Sequence, residues 1–196
     1  MAAAMKQNLS LKAQATKDAL VKAAAKEFNT NGYFNTDTNR IARTAGYAPG
    51  TFYKYFQNKQ QVFLSAYRNW VAAEWATIGG LKENQATTAD MIAAVLAHHK
   101  KWKQFRADLR ALAATDPEIK NLQNKLRRQQ ITRLAEFDPR FAPKDTDWST
   151  QTFLFLMVER TCDAIADGSA KASRANEAAL LSLLEQTIEN LARGTA

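Results

Sequence analysis

Apolar residues recur at helical spacing along nearly the whole chain. In "TKDALVKAAAKEFNTNG", Leu20, Ala24 and Phe28 fall four apart with Val21 beside them. That spacing puts one apolar face on a helix of 3.6 residues per turn. Asn31-Gly32 stops this helix, because glycine accepts the left-handed conformation of a C-terminal cap. Thr36 suits an N-cap, so a second helix is predicted over 37–45, with Ile41, Ala42 and Ala45 facing the core and Gly46 ending it. Pro49 suits the first turn of a short third helix reaching Phe56. Asn58 can cap a fourth, which carries Val62, Ala66, Trp70 and Ala73 and is predicted to end near Gly79-Gly80.

Longer helices follow. One is predicted from Thr88 to Lys103 and another from Gln104 to Ala114. Asp116-Pro117 reads as cap plus first-turn proline of a helix through Leu122, Leu126 and Leu134. "FDPRFAPKDTD" is a loop, and Trp148 to Asp167 is a helix whose "FLFLMV" run is apolar on every side, so it must be buried on more than one face. Gly168 stops it, and a last helix from Asn176 to Ala192 carries Leu180, Leu184, Ile188 and Leu191.

Composition agrees with this pattern. Only seven Gly and four Pro punctuate 196 residues, and 46% are hydrophobic. The expectation is an all-α protein of about nine helices. The net charge of +8 is uneven. Up to Lys59 the chain has nine Lys and Arg against Asp18, Glu27 and Asp37, which leaves +6 there and +2 in the remainder. A basic N-terminal region fits nucleic acid, an anionic membrane or an acidic partner. A single cysteine excludes an internal disulfide. No run approaches a membrane span and the first residues lack a signal-peptide core, so a cytoplasmic protein without membrane partner is expected.

A helix, a glycine-containing turn and a short second helix make a helix-turn-helix, whose second helix lies in the major groove of DNA. On a wheel of about 100° per residue, Phe52 and Phe56 share the face that becomes core. Gly50, Thr51 and Lys54 lie opposite, with Tyr53 and Tyr55 on the flanks. Small Gly50 and Thr51 let the backbone approach DNA, while Lys54 points into the groove. The two tyrosine hydroxyls, Lys59, Thr38, Arg40 and Arg43 are placed to contact phosphates, which fix docking without reading sequence.

These residues carry a family likeness. "TDTNRIARTAGYAPGTFYKYFQNKQQVFLSAY" resembles the DNA-binding signature of the TetR family of bacterial transcriptional regulators, through Ile41-Ala42, Ala45-Gly46, Gly50-Thr51-Phe52-Tyr53, Tyr55-Phe56 and Lys59. The likeness covers about 16–67. It implies DNA-contacting roles for Thr38, Ala48, Pro49, Gly50, Thr51, Tyr53, Tyr55 and Lys59. It also implies a homodimer on a double-stranded DNA operator, and a C-terminal helical domain that dimerises and binds a small molecule. The division expected is a flexible arm over 1–15, the DNA-binding domain over 16–60, and an effector-binding and dimerisation domain over 61–196. Ala48 departs from the family, which often has Ser or another polar residue there. Alanine cannot cap the helix, a loss of typically ~1 kcal/mol, so Thr51 and Lys54 are left with more of the base reading.

In the larger domain an apolar effector pocket is expected between helices over 88–167, lined by Trp102, Phe105, Leu109, Leu122, Phe153 and Met157. The last two long helices are expected to pair with their symmetry mates, with Leu156, Arg160, Leu180, Leu184 and Ile188 at the interface. Adjacent His98 and His99 point about 100° apart and cannot share a metal as an i, i+4 pair would. Cys162 reads as a small core residue, and Glu159-Arg160 as either an interface ion pair or a pocket feature. Neither a metal site, a cofactor nor a catalytic constellation is expected. Three readings stand in order: a repressor released by a small hydrophobic effector, the same fold controlled by a protein partner, and a helical enzyme or carrier for an acidic substrate.

Overall fold

Leu20, Ala24 and Phe28 are fully buried, as their spacing requires, and so are Ile41, Ala42 and Phe52. In the computed structural model, which describes residues 2–143 and 147–193, these residues anchor a bundle of ten α-helices among the described residues. The order is α1 (Ala2–Asn31), α2 (Thr38–Thr44), α3 (Pro49–Phe52), α4 (Lys59–Glu83), α5 (Thr88–Lys101), α6 (Lys103–Thr115) and α7 (Pro117–Phe137). A 3-10 turn (Pro139–Phe141) then leads to α8 (Ser149–Asp167), α9 (Ser169–Ala172) and α10 (Glu177–Arg193).

Local chemistry sets most boundaries. Gly32 and Gly46 end α1 and α2 with φ +81, and Gly168 ends α8 with φ +86. A side chain's β-carbon is strained in that region, so glycine is required at each helix end. Asn58 Oδ1 accepts from Gln61 N–H at 2.9 Å and starts α4. Asp116 caps α7 ahead of Pro117. Thr87 and Asp90 close a reciprocal capping box on α5.

Several boundaries differ from expectation. Asp37, not Thr36, caps α2, accepting from Arg40 N–H at 2.7 Å. The Thr36 hydroxyl is buried and donates to Gly32 O at 2.8 Å. Helix α1 begins at Ala2, so the stretch expected as a flexible arm over 1–15 is helical through its described residues. Helix α3 is one turn, because Tyr53 to Tyr55 leave it as a turn. Helix α4 continues through Gly79-Gly80 to Glu83. Two interior glycines cost about 1 kcal/mol each against alanine, which a helix already packed along much of its length tolerates. The short α9 has no apolar period and was not expected.

One core joins the two expected domains. Phe28 of α1 meets Phe63 of α4 at 5.3 Å, and Phe63 stacks on Phe105 of α6 at 4.8 Å. The aromatic column crosses the boundary expected at 60–61, which lies within the first turn of α4. A second, smaller cluster holds Leu96, Cys162 and Ile165. Burial pushes the Cys162 thiol up to about 12, as befits a core residue.

Candidate nucleic-acid interface and the cavity behind it

Helix α2 packs on α1 and α3 packs on α2, with Ile41, Ala42 and Phe52 buried, and Phe56 closes the core at 5.6 Å from Phe52. After α2, Tyr47 N–H donates back to Ala42 O at 2.9 Å, which folds the chain sharply into α3. The opposite face is open. Arg43, Ala48, Pro49, Gly50, Tyr53 and Lys54 are exposed and Thr51 is half-buried beside them. Tyr53 OH and Thr38 Oγ1 are 2.8 Å apart, joining the end of α3 to the start of α2. The N-cap position of α3, Ala48, makes no side-chain cap bond.

Gly50 is informative because nothing inside the protein asks for glycine there. Its φ is not positive, and a β-carbon would meet no atom within 4 Å. A small residue at an exposed helix face with no internal reason matches a face that another body approaches closely.

Not every expected contact points outward. The Lys59 ammonium donates to Tyr33 O at 2.7 Å and Thr36 O at 2.9 Å, and lies 4.2 Å over the Tyr33 ring. Burial lowers its pKa, offset in part by Asp37 and Asp108. Lys59 therefore clips α4 to the α1–α2 turn, and this replaces its expected role as a free phosphate ligand. Arg40 pairs with Glu27 at 2.7 Å. Burial alone would raise the Glu27 pKa, but Thr44 and Arg40 bring it below the usual range. Tyr55 is half-buried and packs on the core rather than reaching out.

Helices α5 and α6 also hold the unit formed by α1 to α3. Asp108 Oδ2 accepts from Tyr33 N–H at 2.7 Å, and Asn29 Nδ2 donates to Lys101 O at 2.8 Å. Gln60 at the start of α4 donates to Glu118 of α7 at 2.6 Å.

A cavity of about 150 Å³ opens between α4, α5, α7, α8 and α10. Its walls are chiefly aromatic and aliphatic: Tyr67, Trp70 and Trp75 from α4, Ile92 and Val95 from α5, Leu154, Phe155 and Val158 from α8. None of the six residues expected to line an effector pocket lines this cavity, while Trp102 and Phe105 border a separate hollow beside α1 and α4. Phe105, Leu109 and Leu122 belong to the main core, with Trp102 packed against it; Phe153 is exposed and Met157 half-buried. Trp102 and Phe105 sit on apolar faces that turn toward other helices.

One wall is polar, and of its residues only Glu159 was among those expected as a possible pocket feature. Arg106 is buried and donates through Nε to Asp163 at 2.7 Å and through its NH2 group to Glu159 at 3.0 Å. Arg127 bonds Glu159 at 2.8 Å, Arg110 bonds Asp163 at 2.8 Å, and His99 Nδ1 lies 2.9 Å from Asp163. Burial would raise Asp163, but His99 and Arg106 hold it well below the usual carboxylate range. Burial likewise opposes a charged His99, yet Asp163 and Glu74 outweigh it and raise its pKa. Glu159 and Arg160 do not pair with each other: Glu159 faces this network while Arg160 is exposed. The signal in the sequence was the matched spacing of Arg106 with Arg110 and of Glu159 with Asp163, each four apart on one helix face.

The expected dimer residues separate into two groups. Leu156 and Arg160 on α8 are exposed, as is Leu183 on α10. Leu184 is buried within the chain, Leu180 packs on the Leu96–Cys162–Ile165 cluster, and Ile188 lines the cavity. The stripe read as an interface on α10 is thus its inward face.

Among the described residues no helix is long and apolar enough to cross a membrane. Residues 20–66 match the sequence model described as "Bacterial regulatory proteins, tetR family". The fatty acid metabolism regulator protein of Bacillus subtilis (strain 168) is 29% identical over 80 residues, covering 41% of each chain. An uncharacterised helix-turn-helix regulator of the same strain, YdgC, is 30% identical over 112 residues, 55% of this chain and 57% of the relative. The chain thus spans about half the length of the curated relatives it matches. A structure from Rhodococcus sp. assigned to TetR-family transcriptional regulators shares the fold with a TM-score of 0.70 at 17% identity, over 91% of this chain and 98% of that one. The segment that is similar to the TetR family of bacterial regulatory proteins holds α2, α3 and their exposed face.

Proposed function

We propose that the protein is a DNA-binding transcriptional regulator, a homodimeric repressor released from a palindromic operator by a small molecule held in the cavity. The observation that carries DNA binding is the α2–α3 face: Gly50 without internal cause, ringed by exposed Arg43, Tyr53 and Lys54. Exposed Phe153, Leu156 and Leu183, on the contacting helices α8 and α10, support a dimer that would cover them. The Bacillus subtilis relative named for fatty acid metabolism supports a metabolite as signal.

Coupling has two candidate routes. Helix α4 starts in the DNA-facing unit and lines the cavity with Tyr67, Trp70 and Glu74. Helix α6 places Arg106 at the cavity and Asp108 on Tyr33 N–H. A ligand that prefers the arrangement with the reading helices misplaced must weaken DNA binding by the factor by which DNA weakens the ligand.

Selection of double-stranded DNA on the full chain tests this. The expected product is a two-fold symmetric site whose half-site centres lie about 34–36 Å apart or a multiple of that, bound with a steep salt dependence. Recovery of no preferred sequence would rule the reading out.

A further inference from the structure

We propose that the cavity takes a small organic cation, an alkyl- or arylammonium whose N–H groups donate to Glu74 and whose apolar body fills the space between α4, α5 and α8. This rests on the reading of the cavity as the effector site. Glu74 is more than nine-tenths buried, lines the cavity, and its Oε1 accepts no hydrogen bond among the described residues. His99 Nε2 stands 3.4 Å from that oxygen, an ion pair when the imidazole is protonated but outside hydrogen-bond geometry, and Gln130 reaches only the other oxygen, at 3.4 Å. A buried carboxylate oxygen without a donor is unfavourable, and a charged donor is the strongest remedy.

The remaining charges on the wall are already paired. Arg106 serves Asp163 and Glu159, and Glu159 also takes Arg127. Arg140 at the rim is bonded to Asp138 at 2.7 and 3.0 Å, with Glu189 at 3.7 Å. An anionic headgroup would have to break one of these pairs. Glu74, Glu159 and Asp163 face the permanent cations Arg106 and Arg127, while Arg110 is shared between Asp163 and Asp167. The inner set is one cation short unless His99 carries a proton or a ligand supplies the charge. The other orphaned polar atom of a lining residue, Trp70 Nε1, is an uncharged donor and weighs less than a carboxylate.

Size narrows the class. The space of about 150 Å³ is below the usual range of drug-sized pockets. Apolar cavities of that size take up benzene. A single ring or short branched chain fits, whereas a long acyl chain requires the helices to part.

The test uses the full chain and three probes of one shape: benzylammonium, benzyl alcohol and benzoate. Calorimetric titration should show benzylammonium binding about tenfold or more tighter than benzyl alcohol, the scale of a charge-assisted hydrogen bond, and benzoate weakest. Glu74→Gln should erase the preference for the ammonium and leave benzyl alcohol unchanged. Val158→Phe, which fills the cavity, should weaken both. The proposal is overturned if benzyl alcohol or benzoate binds as well as the ammonium in the wild type, if none of the three binds, if the preference survives Glu74→Gln, or if Val158→Phe leaves it intact. The wild-type comparison needs no variant and stands whether or not Glu74→Gln folds. Operator affinity measured with each probe separates the two readings. A preferred ammonium that does not move operator affinity leaves the ligand class standing and removes effector control. Benzoate that releases DNA does the reverse.

Discussion

The α2–α3 face and the polar cavity wall both set charged and polar groups on an apolar backing, yet they are built in opposite ways. The first is drawn from one contiguous segment and left in water: Arg43, Tyr53 and Lys54 are exposed, and no ion pair holds Arg43 or Lys54 among the described residues. The second gathers Glu74, His99, Arg106, Arg127, Glu159 and Asp163 from five helices and excludes solvent from most of them. Groups in water can be changed with little effect on folding. Groups in the interior hold one another, and loss of one leaves others desolvated and unpaired.

The largest expected effect lies in the wall. Arg106→Ala should destabilise the fold by about 3–5 kcal/mol, read from urea unfolding, because Asp163 and Glu159 each lose a buried donor. A loss below about 1 kcal/mol would place this network with surface ion pairs and end the contrast. Next comes Lys59, which sits between the regions. Lys59→Ala should lower stability by about 1–2 kcal/mol, since it removes charge-assisted bonds to Tyr33 O and Thr36 O that remain partly open to water. DNA binding should weaken with it through misplacement of α2. Lys54→Ala, by comparison, should leave stability within about 0.5 kcal/mol and lower the salt slope of DNA binding by about one. If both lysines behave alike in unfolding, the inward assignment of Lys59 is wrong.

Gly50→Ala should change stability and binding with opposite signs. A helical glycine with open space above it gains up to about 1 kcal/mol on replacement, while the added methyl stands where DNA approaches. Tighter operator binding by this variant would remove the reason given for the glycine.

The smallest effect is a pH dependence confined to the wall. The His99 pKa is raised in the folded state against the opposing effect of burial, through Asp163 and Glu74 with Arg106 resisting. Its stabilisation is complete below the ordinary histidine value and fades as pH rises through the folded one. Neighbouring His98 is lowered by burial and acts in the opposite sense, so the wild-type slope is a difference. Comparison of wild type with His99→Gln isolates the term: the stability advantage of wild type should shrink between about pH 6 and pH 8. An advantage that grows with pH would mean that His99 is neutral in the fold.

What the sequence could reveal by itself was local. The period of Leu20, Ala24 and Phe28, the Gly32 and Gly46 stops, the Asn58 and Asp116 caps and the pairing of Phe52 with Phe56 are set by residues within a few positions of one another. The all-helical class and the helix-turn-helix followed from these. Even the exposed face of α3 follows, because one turn of helix has few orientations once two phenylalanines are buried.

Tertiary structure alone decided which of two good faces each long helix turned inward. On α10, Leu180, Leu184 and Ile188 make as good an interface stripe as a core stripe by period, and packing on α5 and α8 chose the core. Trp102, Phe105 and Leu109 read equally well as pocket or interior until the column of Phe28, Phe63 and Phe105 placed them. Arg106 and Lys59 read as solvated charges, because nothing near them in sequence offers the carboxylates or carbonyls that hold them. Those partners arrive from 57 and 26 positions away. Periodicity reports that a face is apolar and caps report where a helix stops. What a face meets is a long-range property, settled only when desolvation, charge pairing and shape are satisfied together.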